Sequence, residues 1–147
     1  TNGLLLPESI DRLRELDLHS LTVTVNALDP AVGARIYGHI TYHGTTYRGA
    51  AAAEILVANQ LEGIRRAVEY GMTVKVNTVY IPGVNEEQVP LIGRKIRELG
   101  AFVMNIMPLI PQAAFAHVVP PSPEELDAVR KRNESIIGQF KHCRQCR

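Results

Sequence analysis

Apolar and polar positions along this chain switch between two periods. Around residues 7–17, Leu6, Ile10, Leu13 and Leu16 recur at helical spacing while Arg12, Arg14 and Glu15 fall off the stripe, which predicts a short amphipathic helix. Over 21–28 the period drops to two: Val23, Val25 and Ala27 alternate with Thr22, Thr24 and Asn26, the mark of a strand with one apolar and one polar face. A second helix is expected over 54–70, with Ile55, Leu61, Ile64 and Val68 inward and Gly71 at its stop. A second strand follows over 72–81, with Val74 and Val76 opposite Lys75 and Asn77. Asn85, with Gln88 three residues on, has the pattern of a capping box that opens a third helix ended by Gly100. A third strand is expected over 101–110. Ser122, Pro123 and Glu125 then open a fourth helix predicted to run to about residue 140 through Leu126, Val129, Asn133, Ile136 and Ile137.

Strand and helix alternate, which predicts an α/β fold of parallel strands with helices outside. An open Rossmann-like sheet shares that alternation. Strands buried on both faces are almost continuously apolar, yet Asn26, Lys75, Asn77 and Asn105 lie toward one side near the carboxyl halves of these strands. Active sites of α/β barrels are built there, so the expected architecture is a partial (β/α) TIM-like barrel with a polar interior mouth. Residues 29–53 form the one irregular stretch. After a short helix around Val32 and Ile36, the run from His39 to Gly49 shows no core pattern, and its place after a strand predicts a loop lying over the mouth as a lid. His39 and His43 in it are candidates for a metal ligand or proton shuttle, though loop histidines are mostly solvated.

Composition changes this picture little. The chain is 147 residues long, 46% hydrophobic and 21% charged, with a formal net charge of +1, values ordinary for a globular domain and without the broad basic face of a nucleic-acid binder. No apolar run approaches the roughly 18 residues of a membrane span and no signal peptide is visible. The two cysteines do change it: Cys143 and Cys146 sit three residues apart at the end, among Lys141, Arg144 and Arg147. Nearby cations favour thiolate, and two thiolates at this spacing can hold a metal or an iron-sulfur cluster, although closed zinc and [4Fe–4S] sites take about four ligands. Iron-sulfur ligation, zinc and a dithiol switch are the alternatives; His142 is either a further ligand or a charge neighbour. The pair suggests a reducing compartment, and with the opening Thr1-Asn2-Gly3, a strand-ending turn, it predicts a piece of a larger domain.

Taken in order, Thr1-Asn2-Gly3, the strand 22–30 (TVTVNALDP), the strand and turn 74–85 (VKVNTVYIPGVN), Asn105-Ile106-Met107-Pro108-Leu109 and the ending 140–147 (FKHCRQCR) resemble the second half of a radical S-adenosylmethionine barrel. The order and spacing are those of the branch that includes molybdenum-cofactor GTP cyclases, and the ending is closer to the nitrogenase-cofactor maturases. The resemblance implies two parts, 1–140 as the C-terminal half of the barrel and 141–147 as a cysteine-containing cluster-binding tail.

It further implies a cytoplasmic enzyme of lyase or transferase type with S-adenosyl-L-methionine and [4Fe–4S] clusters as cofactors, which inserts carbide and fuses two [4Fe–4S] units into an [8Fe–9S–C] precursor. Its implied partners are iron-sulfur cluster donors and the carrier and scaffold proteins of nitrogenase assembly, with neither nucleic acid nor membrane. The Cys-x-x-x-Cys-x-x-Cys that holds the radical-generating cluster is absent from these residues, so the fragment alone is expected to be inactive. Carried over by position, Thr1 would lie near the methionine portion, Asn26 at the ribose or carboxylate, Lys75 and Asn77 inside the barrel, and Ile106 and Met107 at the adenine. Cys143 and Cys146 would help to hold a precursor cluster. Alternative readings are an enzyme of the GTP-cyclase type and a non-enzymatic metal or iron-sulfur carrier module.

Overall fold

The computed structural model describes residues 1–140; Cys143, Cys146 and the rest of the expected tail lie outside the described residues. The element order is α1 (Leu6–Glu15), β1 (Ser20–Thr24), α2 (Pro30–Ile36), β2 (His39–Tyr42), β3 (Thr45–Arg48), α3 (Gly49–Glu69), β4 (Thr73–Tyr80), α4 (Gln88–Glu98), β5 (Val103–Pro108) and α5 (Pro123–Glu134), with a short 3₁₀ turn at Ala113–Phe115 before α5. Strands β1, β4 and β5 form a parallel sheet in that order, as the alternation of elements predicts.

The sheet continues by single rungs at both sides. Thr1 donates its amino group to Thr22 O and accepts Thr24 N–H on its own carbonyl, both at 3.0 Å, so the first residue runs beside β1. On the far side Met104 N–H donates to Gly138 O and Phe140 N–H to Met104 O, making a parallel bridge between Met104 and Gln139. The last helix therefore stops at Glu134 instead of reaching residue 140. Ile136 and Ile137 prolong the helical spacing of apolar residues, but Ile137 packs into the core from the turn that leads to this rung.

Register puts Leu21, Val23, Val74, Val76, Met104 and Ile106 on one face and Thr22, Thr24, Lys75, Asn77, Val103, Asn105 and Met107 on the other. The first face meets Ile10, Ile64, Val89, Ile92, Ile96, Leu126 and Val129 of the helices in the main core. Close approach needs glycine at two helix crossings: a Cβ on Gly63 of α3 would stand 2.5 Å from Leu6 of α1, and one on Gly33 of α2 would stand 2.6 Å from the Ala53 Cβ of α3. Across the α1–α3 contact, Arg66 donates to Asp11 (2.7 Å) and to Pro7 O, and Tyr70 donates to the same carboxylate at 2.6 Å. The Tyr70 hydroxyl and then Arg66 hold the Asp11 carboxyl below its ordinary pKa.

Two expectations need correction. The stretch 29–53 is not a structureless lid: it holds α2, an antiparallel β2–β3 hairpin and the first turn of α3, which starts at Gly49 rather than residue 54. The hairpin turns on His43 and Gly44, both at positive φ (47° and 76°) as a two-residue type I′ turn requires. Ile40 of the hairpin is buried with Leu4, Ala52 and Leu56, flanked by Tyr37, Tyr42 and Tyr47. The second correction concerns Asn85, which does not cap α4; that helix starts at Gln88 behind Glu87, and the buried Asn85 side chain is bonded to Val79 and Ile81 nearby and to Asn26 across the sheet. The helix start expected at Ser122, Pro123 and Glu125 is present, and Ser122 and Glu125 there form a capping box in both directions.

Candidate functional site

The helix-free face of the sheet carries three rows of side chains. Lowest, toward the amino ends of the strands, are Thr22, Lys75 and Val103; next come Thr24, Asn77 and Asn105; beyond them are Asn26, Val79 and Met107. Lys75, Asn77, Val79 and Met107 are half-buried, whereas Val74, Val76, Met104 and Ile106 on the opposite face are essentially sealed. The Lys75 ammonium stands 4.8 Å from the centre of the Phe140 ring, a cation–π contact that closes the low end of the face.

In the middle row the Asn105 Nδ2 donates to Asn77 Oδ1 at 3.2 Å. Asn105 is fully buried and its own Oδ1 has no hydrogen-bond partner among the described residues. A buried amide oxygen left without a donor costs about 1–3 kcal/mol; Gln60, Asn133 and Gln139 carry other such oxygens, and that of Asn105 is the one on a strand of the sheet. Sequence reasoning placed Asn105 on the polar side but not among the site residues. Its parity with Met107 and its buried carboxamide are the signals that mark it.

Past the middle row the backbones of β1 and β4 stop pairing. The last rung is Val25 N–H to Asn77 O at 2.9 Å, and side chains then take over. Thr78 Oγ1 donates to Val25 O (2.8 Å), and Asn26 Oδ1 accepts Val79 N–H (2.9 Å). The Tyr37 hydroxyl accepts Asn26 N–H, and burial pushes its pKa up, against opposing hydrogen bonds from Asn26 and Gln60. Gln60 of α3, fully buried, donates to Asn2 O and Thr24 O. Asn85 Nδ2 donates to Asn26 O and Val79 O while its Oδ1 accepts Ile81 N–H. Gln88 Oε1 accepts both Leu28 and Asp29 N–H at 3.0 Å. Splayed carboxyl ends of parallel strands are where α/β folds bind ligands.

The predicted site residues are thus distributed unequally. Asn26, Lys75, Asn77 and Met107 share the helix-free face. Ile106 points into the helix-packed core, and its carbonyl accepts from Arg130 Nε (3.1 Å) and Nη2 (2.8 Å) of α5, a brace with no local signal in the sequence. Thr1 lies beside Val23 and spends its hydroxyl on Gly3 N–H. His39 and His43 belong to the hairpin, where His43 Nε2 lies 3.1 Å from Glu8 of α1 and Tyr42 donates to the same carboxylate. A groove of about 580 Å³ opens between Pro108 and α5, lined also by Pro121, Leu126, Arg130 and Lys131, and shares no residue with the rows above. Among the described residues no three His, Cys, Asp or Glu side chains gather as a metal site. Nor is any described helix long and apolar enough to cross a membrane.

Comparison with known proteins gives this geometry its context. The whole chain is similar to the "FeMo cofactor biosynthesis protein NifB" of Klebsiella pneumoniae (42% identical, 33% of that protein covered). It is similarly related to the proteins of that name in Frankia alni (40%, 31% covered) and Methanocaldococcus jannaschii (40%, 49% covered). The chain therefore spans about a third to a half of the length of these curated relatives. The Radical SAM superfamily model matches residues 1–111, most of the sheet and its helices, and the chain belongs to that superfamily.

Proposed function

We propose that this chain is a piece of a radical S-adenosylmethionine enzyme, the carboxyl-terminal half of its barrel with a short tail, and that the enzyme builds the precursor of the nitrogenase iron-molybdenum cofactor. The observation that carries the reading is similarity over the full chain to proteins named for that biosynthesis. On it, residues 1–140 form half of a (β/α) barrel whose interior is the helix-free face, and 141–147 form a cluster-binding tail. The reaction is carbide insertion with fusion of two [4Fe–4S] units into an [8Fe–9S–C] precursor, in concert with cluster donors and carrier or scaffold proteins of nitrogenase assembly, in the cytoplasm.

The residues present suit S-adenosylmethionine. Its hydroxyls and ammonium are donors of the kind that the orphaned Asn105 Oδ1 lacks, the Asn77 carboxamide stands beside it, and Met107 offers apolar surface on the same face for the adenine. When bound with a reduced [4Fe–4S] cluster, S-adenosylmethionine supplies a radical and, in this enzyme class, a methyl group. What these residues do is bind and orient it: the middle row fixes its polar atoms, Lys75 sets positive charge at the low end, and the side chains bonded across the ends of β1 and β4 hold those strand ends in place. Asn26 completes the cofactor contacts from β1's side, while Thr1, in register with Val23, and Ile106 act through the backbone, Thr1 beside β1 and Ile106 next to Met107.

Cys143 and Cys146 are proposed as ligands of a precursor cluster. Anaerobic iron-sulfur reconstitution of the complete gene product, with iron counted in wild type and in Cys143→Ser and Cys146→Ser variants, tests this assignment. Loss of about one cluster's iron in either variant is expected, and unchanged iron in both refutes it.

A further inference from the structure

Five side chains make six hydrogen bonds to the polar backbone groups of residues 24–29, the stretch where β1 leaves the sheet. Asn26 adds its own side chain as a seventh link, to Val79 N–H. A strand that simply ended would expose these groups to water. Here Asn85 and Gln88, which follow β4, reach back about sixty residues in sequence to do the work of the missing ladder. The ladder fails at the level of the Asn77–Asn105 row, so the wall that the two side chains fix borders the proposed ligand directly.

We propose that Asn85 and Gln88 are positioning residues for the ligand on the helix-free face, and that they have opposite chemical requirements. Gln88 works through one oxygen that accepts two N–H groups at 3.0 Å. It sits at the first position of α4, where the helix dipole favours an anion. A carboxylate therefore replaces it. Asn85 must both donate, to Asn26 O (2.9 Å) and Val79 O (2.8 Å), and accept, from Ile81 N–H (2.8 Å). A carboxylate there sets its oxygens against two carbonyls, and buried like-signed acceptors repel. Local capping rules assign both residues to the start of α4 and so hide this role.

The inference rests on the S-adenosylmethionine reading for its ligand, and the test separates the two. In the complete gene product, S-adenosylhomocysteine binding is measured by calorimetry, and backbone amide exchange of residues 26–31 by mass spectrometry. The variants are Gln88→Leu, Gln88→Glu and Asn85→Asp. Gln88→Leu should speed exchange of the Leu28 and Asp29 amides about tenfold or more and weaken binding by about 5- to 30-fold, the worth of one or two hydrogen bonds. Gln88→Glu should keep both within about twofold of wild type, and Asn85→Asp should lose both. If Asn85→Asp does not fold, the two Gln88 variants decide alone. Gln88→Leu with faster exchange and wild-type affinity overturns the positioning role while leaving the ligand reading intact; Gln88→Glu as weak as Gln88→Leu overturns the acceptor-only chemistry. No binding by wild type, with the exchange pattern as expected, overturns the ligand reading and with it the proposal.

Discussion

The two faces of one parallel sheet differ in what their residues are for. On the helix side Val23, Val74, Val76, Met104 and Ile106 are at most 1% exposed and touch apolar side chains from four helices. On the other side the alternate residues of the same strands are Thr24, Lys75, Asn77, Asn105 and Met107, mostly half-buried, and one buried carboxamide oxygen lacks a donor. Hydrophobic burial holds the first face and does not depend on direction. Hydrogen bonds organise the second, and they are directional and incomplete. A sheet of this kind lets stability and ligand affinity be changed separately, which is how the comparison can be broken.

The largest effect is expected on the sealed face. Met104→Ala should destabilise the protein by about 2–5 kcal/mol, the cost of a cavity in a close-packed core, with denaturant unfolding as the measurement. Met107→Ala, three positions along the same strand on the opposite face and half-buried, should cost less than about 1 kcal/mol and should instead weaken adenosyl-ligand binding. Equal losses of stability at 104 and 107 would mean that the faces are not distinct. A smaller effect is expected at Lys75. Lys75→Met keeps the alkyl stem and removes the charge over Phe140, so stability should fall by only about 0.5–1 kcal/mol, read from the melting temperature. A larger fall would show that the charge is bonded more deeply than its position beside the ring implies.

The same contrast explains what was legible in the sequence. Period-two alternation of Val74 and Val76 with Lys75 and Asn77 exposes both the strand and its polar face, because the pleat alone decides which way a side chain points. The start of α5 was legible because Ser122, Pro123 and Glu125 mark it within four consecutive residues. The β2–β3 hairpin was not: its strands are four residues long, largely exposed and polar, and its turn uses His43 rather than the usual Asn before Gly44. The end of α5 was missed because Ile136 and Ile137 keep helical spacing while serving the core from a turn. Asn85 was assigned to a cap by its neighbours, whereas its bond to Asn26 spans 59 residues, a distance over which local pattern carries no information. Similarly, the placement of Ile106 on the sealed face follows from register, and register is a property of the assembled sheet.

The central claim is that the helix-free face, through its middle row, binds S-adenosylmethionine. The most direct measurement is calorimetric affinity of the complete gene product for S-adenosylmethionine in wild type and Asn77→Ala, with thermal unfolding recorded on the same samples. Removing the carboxamide takes away one ligand hydrogen bond and leaves Asn105 Nδ2 without its acceptor, so affinity should fall by about 5- to 30-fold while the melting temperature stays within a few degrees. Wild-type affinity in a folded Asn77→Ala protein would contradict the account.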